Sequence, residues 1–233
     1  MKIGIKAAEF SAGKAAIKDP RIDKLQEILH SAQKIYLKAD LVTEEKTMYD
    51  ADGIVCSKDG KLDFILHDIE FIETRLANAE DESEKKLLQR FKEQLDREGC
   101  ISEMDLVEEE KKMASSYSML TTKPVYVAPG EEKLGQEGLL FSAYTFFGYI
   151  SFFTGNEKEA HAWPIKKGAS AWEASGCIHS DIQKGFIRAE VVGYDALVSD
   201  GGLSQARSNN HIRLENKDYV VQDGDYIVFR FNK

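Results

Sequence analysis

The clearest hydrophobic pattern in the chain is a strict alternation close to its C-terminal end. Ile227, Phe229 and Phe231 would share one face of a strand, while Val228 and Arg230 would share the other. A period of two with aromatic and β-branched residues is typical of a half-buried β-strand. The pattern therefore predicts that residues 227–231 form a strand with one face buried and the other open to solvent.

The residues upstream of this strand extend the same reading to the whole tail. Ile187 to Tyr194 alternates in the same way, and Asp223-Gly224-Asp225 has the composition of a tight hairpin turn. Ser170 to Ser175 predicts a short helical turn with Gly176 as its C-cap. Strands and one helix within about eighty residues fit a small α+β sheet with a helix across one face. Because the predicted strands and helix can bury their apolar faces against one another, we expect the tail from Ile150 to fold alone.

The middle of the chain changes to helical spacing at Leu62. The apolar positions three or four residues apart are Leu62, Ile65, Leu66, Ile69, Ile72, Leu76, Ala79, Leu87, Leu88, Phe91 and Leu95. Gly99 is predicted to end this helix, and Ser102 to start a second one that returns along it. The spacing predicts an antiparallel α-hairpin over residues 63–118, with a first arm of about 35 residues and about 50 Å.

The N-terminal part and residues 119–148 mix strand and helix signals. Lys2 to Ile5, Gln33 to Leu41 and Lys123 to Ala128 are predicted strands. Asp19 and Pro20 predict the N-cap and first position of a helix. The order of these elements favours an α/β core that the helical hairpin interrupts.

Charge is distributed unevenly along the chain. The net charge is −9, and residues 63–118 carry 16 acidic against 8 basic residues, whereas residues 163–233 carry 9 of each. A molecule-wide basic field for nucleic acid is therefore excluded, and RNA would have to be bound by a local patch. The acidic segment is typical of a solvent-exposed helix pair, and a role in docking a protein partner stays open.

The sequence lacks the usual signals for disulfides, metal sites, two common hydrolase motifs, secretion and membrane insertion. Cys56, Cys100 and Cys177 form no CxxC pair, which favours reduced thiols in the cytoplasm over a disulfide frame or a metal site. The five histidines show no metal-ligand spacing, and neither G-x-S-x-G nor H-E-x-x-H occurs. No long apolar segment begins the chain or spans a bilayer, so we expect a cytoplasmic protein that does not bind membranes.

Four segments of the tail carry a family resemblance. They read ISFFT, AWPIKKG, GCIHSDIQKGFIRAEVV and KDYVVQDGDYIVFRF. These segments resemble the TGS domain that ends the YchF/EngD (Obg-like) GTPases, and the resemblance runs through the tail without large gaps. It implies a ubiquitin-like β-grasp fold for this region.

The rest of the chain resembles the same family in pieces. MKIGI is similar to the first strand of the G domain, and DADGIVC, Asp50 to Cys56, to its next core strand. DIEFIETRLANAEDESEKKL is similar to the coiled-coil arm inserted in that domain. The resemblance implies a truncated family member with three parts. These are a degenerate G-domain-like α/β core at 1–62 and 119–148, a helical hairpin at 63–118, and a TGS domain at 149–233.

The phosphate-binding loop of such a G domain is damaged here. Against G-x-x-x-x-G-K-[ST], Gly13 and Lys14 match, but Ala8 replaces the first glycine and Ala15 the hydroxyl that binds Mg²⁺. A second alignment compares AGKAAIKDPRIDKL with the family segment that precedes a DPRLDKL helix start. In that alignment, which we favour, the loop, the first helix and the first switch are deleted, and the Gly13-Lys14 match is coincidental.

The other nucleotide-binding elements implied by the resemblance are also incomplete. Asp40 stands where the D-x-x-G switch would begin, but no glycine follows it at the required spacing. The base-recognition N-x-x-E loop has no Asn, and Glu132 alone would remain of it. Since positioning and charge stabilisation drive phosphoryl transfer, these losses predict a non-catalytic protein without a cofactor.

Two functional hypotheses remain at the level of the sequence. The first is a TGS-domain protein that binds RNA or a ribosome-like partner, and its candidate residues are Lys166, Lys167, His179, Lys184 and Arg188. Ordinary solvated surface residues would look the same. The alternative is a residual GTP- or ATP-binding protein, with Mg²⁺, or a weak P-loop-type NTPase, for which Gly13, Lys14 and Glu132 would be the remnant. The sequence leaves the oligomeric state and the identity of the partner open.

Overall fold

A computed structural model describes residues 1–6, 10–129 and 136–232 of the chain. The strands are β1 Lys2–Lys6, β2 Gly13–Ile17, β3 Gln33–Ile35, β4 Leu37–Val42, β5 Gly53–Cys56, β6 Val125–Val127, β7 Tyr149–Gly155, β8 Glu159–Lys166, β9 Phe186–Gly193, β10 Arg213–Glu215 and β11 Asp225–Phe231. The α-helices are α1 Arg21–Ile28, α2 Glu45–Met48, α3 Lys58–Asn78, α4 Glu82–Asp96, α5 Glu108–Ser116, α6 Gln136–Phe146, α7 Ala171–Ile178, α8 Ser180–Lys184, α9 Tyr194–Asp200 and α10 Leu203–Ser208. Two short 3-10 helices cover Ile101–Glu103 and Leu120–Thr122.

The chain divides into two compact units, each made of two segments. The first unit comprises Met1–Ala15 and Ala39–Leu139, and the second Ala16–Lys38 and Leu140–Lys233. Both contain sheets and helices, so the predicted mixed α/β fold class is confirmed at this level. No helix among the described residues is both long and apolar enough to cross a bilayer.

The first unit is built on a five-stranded sheet with the order β2-β4-β1-β5-β6. Strand β1 pairs in parallel with both β4 and β5, and β5 pairs in parallel with β6. Ile3, Ile54 and Val55 are fully buried, as expected for parallel strands covered on both faces. The predicted strands at Lys2 to Ile5, Asp50 to Cys56 and Lys123 to Ala128 are therefore confirmed.

The helical segment of the first unit differs from the predicted hairpin in where it turns. The predicted first arm of about 35 residues is wrong, because α3 ends at Asn78 and α4 begins at Glu82. Asp81 is the N-cap of α4 and accepts a hydrogen bond from Ser83 N–H at 3.1 Å. Helices α3, α4 and α5 then share one apolar cluster, in which Ile72, Leu88 and Phe91 are fully buried.

The end of α4 and the start of the next helix also lie elsewhere than predicted. Helix α4 ends at Asp96, three residues before Gly99. Ser102 lies inside a 3-10 helix, and α5 begins only at Glu108. The carboxylate of Glu110 accepts a hydrogen bond from Val107 N–H at 3.1 Å and fixes that start.

The second unit is built on a six-stranded sheet with the order β10-β9-β11-β7-β8-β3. The predicted strands near the C-terminal end are confirmed as β9 and β11, which pair antiparallel. The residues before Asp223 form no strand partner for β11, so the predicted hairpin is wrong. Gly224 nevertheless adopts a positive φ of 90° and makes the turn into β11.

Helix α7 covers one face of this sheet. Ala171 and Ala174 pack with Phe152, Val191 and Ile227 in one buried cluster. The helix begins with a capping box, in which Ser170 Oγ accepts from Glu173 N–H and the Glu173 carboxylate accepts from Ser170 N–H. It runs through Gly176 to Ile178, so the predicted C-cap at Gly176 is wrong.

The segment from Ala16 to Lys38 lies in the same compact unit as the C-terminal sheet. Strand β3 pairs in parallel with β8, with Gln33 opposite Glu159 and Ile35 opposite His161. The predicted continuous strand from Gln33 to Leu41 is therefore two strands, because β4 belongs to the sheet of the first unit. The predicted domain boundaries stay predictions, and the structure adds that this sheet recruits a strand from upstream.

Helix α1 is fixed to the sheet by the side chain of Arg21. Its guanidinium donates to the buried carboxylate of Asp19 at 2.9 and 2.7 Å and to Asp223 at 2.9 Å through each of two nitrogens. It also lies 5.4 Å from the ring centroid of the buried Phe153. Asp19 accepts from Arg21 N–H at 3.1 Å, so the predicted capping residue acts, although the helix begins one residue later than expected.

Candidate nucleic-acid interface

Four arginines line one open groove beside strand β10. Arg188 and Arg230 lie on the sheet face that α7 does not cover, whereas Arg213 lies opposite Val191, on the face of α7. We call this groove the arginine groove; it has a volume of about 520 Å³. Its lining residues are Arg188, Glu190, Arg207, Asn210, Ile212, Arg213, Leu214 and Arg230. Among the residues that the structure describes along this groove, Glu190 is the one carboxylate, so the surface is locally cationic although the chain as a whole is acidic.

Strand register brings these side chains together from distant positions. Arg230 on β11 lies directly opposite Arg188 on β9, and Glu190 lies opposite Val228 on one side and Leu214 of β10 on the other. Directly opposite residues share a face, with Cβ atoms about 4.5–5.5 Å apart. Side chains therefore form two neighbouring rows across the strands. One row holds Arg230 and Arg188, and the other holds Glu190 between Val228 and Leu214.

Glu190 neutralises part of the groove. Its carboxylate accepts from Arg230 Nε at 2.7 Å and from Arg207 Nη2 at 2.8 Å. The hydrogen bond from Arg230 is the main reason that the pKa of Glu190 lies below its usual range. The carboxylate is therefore ionised at neutral pH, and it stays bound to both guanidinium groups.

The other two arginines are used differently. Arg213 donates to the hydroxyl of Tyr219 at 2.9 Å and lies 3.5 Å from the carboxylate of Glu215. Arg188 is exposed, and within the described part of the chain its side chain has no hydrogen bond or ion pair. The groove thus keeps one guanidinium with all its donors available to a ligand.

Two large apolar side chains lie beside the arginines and are open to solvent. Leu214 is 63% exposed and Val228 is 38% exposed. Guanidinium groups bind phosphates in a bidentate manner and stack on bases, and exposed aliphatic groups offer further contact to a base or sugar. The arrangement can therefore hold a phosphate-bearing polymer rather than only a single anion.

Of the residues predicted from the sequence, only Arg188 lies in the arginine groove. Lys166 ends β8, with its Nζ 3.9 Å from the ring centroid of Tyr149 and donating to Phe147 O at 3.1 Å. Following the registers across β8, β7, β11 and β9, Arg188 lies eight residues farther along the sheet than Lys166, roughly 26 Å. Lys167 follows Lys166 into the turn, so these lysines and Arg188 do not form one patch.

His179 and Lys184 are brought together at a second open groove. His179 precedes α8 and Lys184 is its last residue, and both line a volume of about 850 Å³ with Asp181 and Phe231. His179 Nδ1 accepts a hydrogen bond from Asp181 N–H at 3.1 Å, so this nitrogen serves the helix start. The structure thus divides the predicted surface into three places, and the binding roles of these residues stay predictions.

The residues considered as a nucleotide-binding remnant do not form a loop at a helix start. Gly13 and Lys14 begin strand β2, and Lys14 is exposed there. A phosphate loop needs backbone N–H groups that converge at a helix N-terminus. Glu132 lies outside the described residues, so the structure gives no account of the predicted base-recognition position.

The sequence analysis did not single out Arg207, Arg213 and Arg230. They are 6 to 42 residues away from Arg188 and from each other along the chain, and only strand pairing makes them neighbours. One signal could have found them, since four of the chain's eight arginines fall within the last 46 residues. The described residues contain no cluster of three or more His, Cys, Asp or Glu side chains that could hold a metal ion.

Comparisons with known proteins give the chain its relatives. The family model YchF-GTPase_C, described as a protein of unknown function, matches residues 149–232. The ribosome-binding ATPase YchF of Bacillus subtilis (strain 168) is 33% identical over 236 residues, which cover 73% of this chain and 64% of that protein. The protein of the same name from Haemophilus influenzae is 42% identical over 103 residues, 44% of this chain and 28% of the relative.

The chain thus spans less than two thirds of the length of these relatives. A solved structure of the Schizosaccharomyces pombe YchF GTPase superimposes with a TM-score of 0.76 at 16% identity, and covers 99% of this chain and 97% of that one. This likeness shows the mixed α/β fold, while the sequence matches carry the relationship. On the sequence matches the chain belongs to the YchF family.

Proposed function

We propose that this chain is a non-catalytic member of the YchF family that binds RNA on a ribosome or a ribosome-like particle through the arginine groove. The observation that carries the proposal is the set of three arginines, Arg188, Arg207 and Arg230, around the carboxylate of Glu190 at an exposed sheet face. Relatives that are named ribosome-binding ATPases support the choice of partner. The groove supplies the local positive surface that a chain with a net charge of −9 needs for RNA.

The non-catalytic part of the proposal rests on the missing phosphate machinery. Gly13 and Lys14 lie on a strand, and Ala15 offers no hydroxyl for Mg²⁺. The match to the Bacillus subtilis relative extends over 236 residues but uses only 73% of this 233-residue chain. The relative therefore has positions inside the matched region that this chain lacks, which supports an internal deletion.

The proposal includes an assignment for each part of the chain. Residues 149–233 are assigned to a TGS domain of β-grasp type, in which α7 crosses the sheet. Residues 63–118 are assigned to the helical arm, and residues 1–62 and 119–148 to a degenerate G domain. The arm offers an acidic surface for a protein partner, while RNA is bound by the TGS sheet.

Salt dependence of RNA binding tests the proposal. Each neutralised phosphate contributes roughly −0.7 to the slope of log affinity against log salt for a single strand, so the three arginines of this face give a slope of about −2. Replacing Arg188 by Gln should weaken binding and reduce the slope by about one contact. Fluorescence anisotropy with a labelled single-stranded RNA at several salt concentrations measures both quantities.

Arg90→Gln is the matched control, because Arg90 lies on α4 and pairs with Glu110. This variant changes the charge by the same amount, and the slope should stay that of the unaltered protein. Undetectable binding at low salt, or a slope that responds equally to Arg90→Gln and Arg188→Gln, would contradict the proposed function.

A further inference from the structure

The pairing of Arg188 with Arg230 is unfavourable for the isolated protein. Like charges directly opposite each other on antiparallel strands destabilise a sheet. Here two guanidinium groups occupy such a position, with Arg230 opposite Arg188. An anion held between them would remove the repulsion, so the pair has the chemistry of a binding site for an oxyanion.

Glu190 supplies an anion next to this pair from within the fold. Its side chain is only 12% exposed, whereas the side chains of Arg207 and Arg230 are 67% and 61% exposed. The carboxylate thus lies beneath two arginines and occupies donors on each of them. It reaches Arg230 and Arg207 but, among the described contacts, not Arg188.

We propose that Arg188 and Arg230, flanked by Arg207, form a phosphate-binding subsite, and that Glu190 acts as an internal competitor that holds Arg207 and Arg230 until a phosphate displaces it. The ligand is a phosphodiester group of RNA, so the inference rests on the proposed function. A carboxylate and a phosphate both accept bidentate hydrogen bonds from guanidinium, and the phosphate offers more acceptor oxygens for the same donors.

The carboxylate also sets how selective the subsite is. The Glu190 carboxylate is held next to the arginines, so its local concentration is high and a small, weakly bound anion competes poorly with it. A polymer gains affinity because it makes several contacts at once. Glu190 therefore lowers the affinity of the groove for isolated anions and favours a ligand that engages Arg188 first, because Arg188 is already free. This order follows from the hydrogen bonds that Glu190 accepts from Arg230 and Arg207.

Replacing Glu190 by Gln tests the inference. The change removes the competing charge but keeps the size of the side chain, and RNA affinity should rise by about two- to fivefold, the value of an exposed ion pair. Glu215→Gln is the control, since Glu215 is on the neighbouring strand and contacts only Arg213 among the four arginines. It removes the same charge and should change affinity less than the Glu190 variant.

The same substitution in a second variant distinguishes competition between Glu190 and phosphate from a general effect of charge. In a chain with Arg207→Gln and Arg230→Gln, the gain from Glu190→Gln should fall to the level of the Glu215 control. If the gain persists unchanged, Glu190 acts only through the overall field and the competitor role is refuted. If wild-type protein binds RNA but Glu190→Gln gains nothing, the subsite is wrong and the RNA-binding proposal stands.

A direct probe covers the case in which no RNA binds. Inorganic pyrophosphate is titrated into the full chain while the side-chain Nε–H resonances of Arg188, Arg207 and Arg230 are followed by NMR. Shifts at these arginines, at lower pyrophosphate concentration in Glu190→Gln, support the subsite even if the proposed function has failed. Absence of shifts in both proteins would overturn the inference.

Discussion

Arg21 is the residue on which the packing of helix α1 depends most. Its guanidinium joins Asp19, which has no exposed surface, to Asp223 in the turn before β11. A buried carboxylate is tolerated only while it is paired, because desolvation of an unpaired charge costs several kcal/mol. Arg21 therefore both attaches α1 and supplies the partner of the buried Asp19 carboxylate.

We predict that Arg21→Ala lowers the free energy of unfolding by about 3–5 kcal/mol, the usual cost of leaving a buried charge unpaired. Denaturant unfolding followed by circular dichroism measures the change. Lys24→Ala is the control on the same helix, since Lys24 pairs with Glu27 on the surface and should cost less than about 1 kcal/mol. Equal losses for both variants would show that Arg21 is only a surface residue.

Asp223 makes the contribution of this network depend on pH. Burial alone would raise its pKa, but the hydrogen bonds from Arg21 and Ser151 N–H bring it below the ordinary value of 3.8. A carboxyl with a lowered pKa stabilises the fold above its unfolded pKa, and this contribution is lost as the pH falls through its folded pKa.

The difference in unfolding free energy between wild type and Asp223→Asn should therefore be full at neutral pH and shrink once the pH falls below about 3.8. Urea unfolding at a series of pH values measures it. A difference that stays constant down to the acid end would mean that the charge of Asp223 does not contribute.

Single residues also show what the sequence could and could not predict. Alternation at Ile227 and Phe229 predicted β11 correctly, because the period of a half-buried strand is a local property. The neighbours of Arg188 could not be predicted, because they depend on which strands pair and in which register. That Asp223 serves Arg21, 202 residues away, has no local signal.

At the scale of elements, strand β3 and helix α1 change how the C-terminal unit has to be understood. The sheet has β3 at its edge next to β8, and α1 lies against the face that contains Phe153. Phe152 and Phe153 are both fully buried, so both faces of β7 are covered. The expectation that the tail folds alone took only the face of α7 into account.

We expect that residues 140–233 expressed alone lose fixed tertiary packing, and that joining residues 16–38 to them by a flexible linker restores it. Without the upstream segment, Phe153 and the edge of β8 become exposed, which costs apolar burial and backbone hydrogen bonds. Near-ultraviolet circular dichroism and amide exchange measure the packing. A well-packed fragment 140–233 with protected β8 amides would refute this expectation.

The same scale explains the misplaced turn between α3 and α4. Apolar spacing continues across residues 79–81 without a Gly or Pro, so periodicity alone indicated one long helix. An Asp followed by acidic residues in the next turn, as in Asp81-Glu82-Ser83-Glu84, is a helix start that the pattern of apolar residues hides. The boundary between α3 and α4 is therefore marked by the capping residue Asp81 and not by the spacing of apolar residues.

For the whole molecule, the distribution of charge separates two kinds of surface. Residues 63–118 hold most of the negative charge, and the arginine groove is confined to the C-terminal unit. RNA is therefore expected to bind at one place only and to be repelled by the acidic helices. The family was predictable from sequence segments, whereas the location of the cationic face was not.

We predict that the chain hydrolyses neither GTP nor ATP in the presence of Mg²⁺ in a manner that depends on Lys14. To bind and hydrolyse a nucleotide, a protein of this kind holds the phosphates with backbone N–H groups and a Lys at the start of a helix. Lys14 lies on strand β2 instead. Turnover of both nucleotides is compared for the wild-type chain and Lys14→Ala. Activity that Lys14→Ala abolishes would establish the alternative, a residual nucleotide-binding protein.

The pairing of β3 with β8 has a consequence for synthesis of the chain. Gln33 leaves the ribosome 126 residues before its partner Glu159. At about 5–20 residues per second, the nascent segment waits roughly 6–25 s with the apolar side of α1 uncovered. It therefore stays available to chaperones throughout translation of the first unit, and the C-terminal unit can complete its folding only after the last strand has emerged.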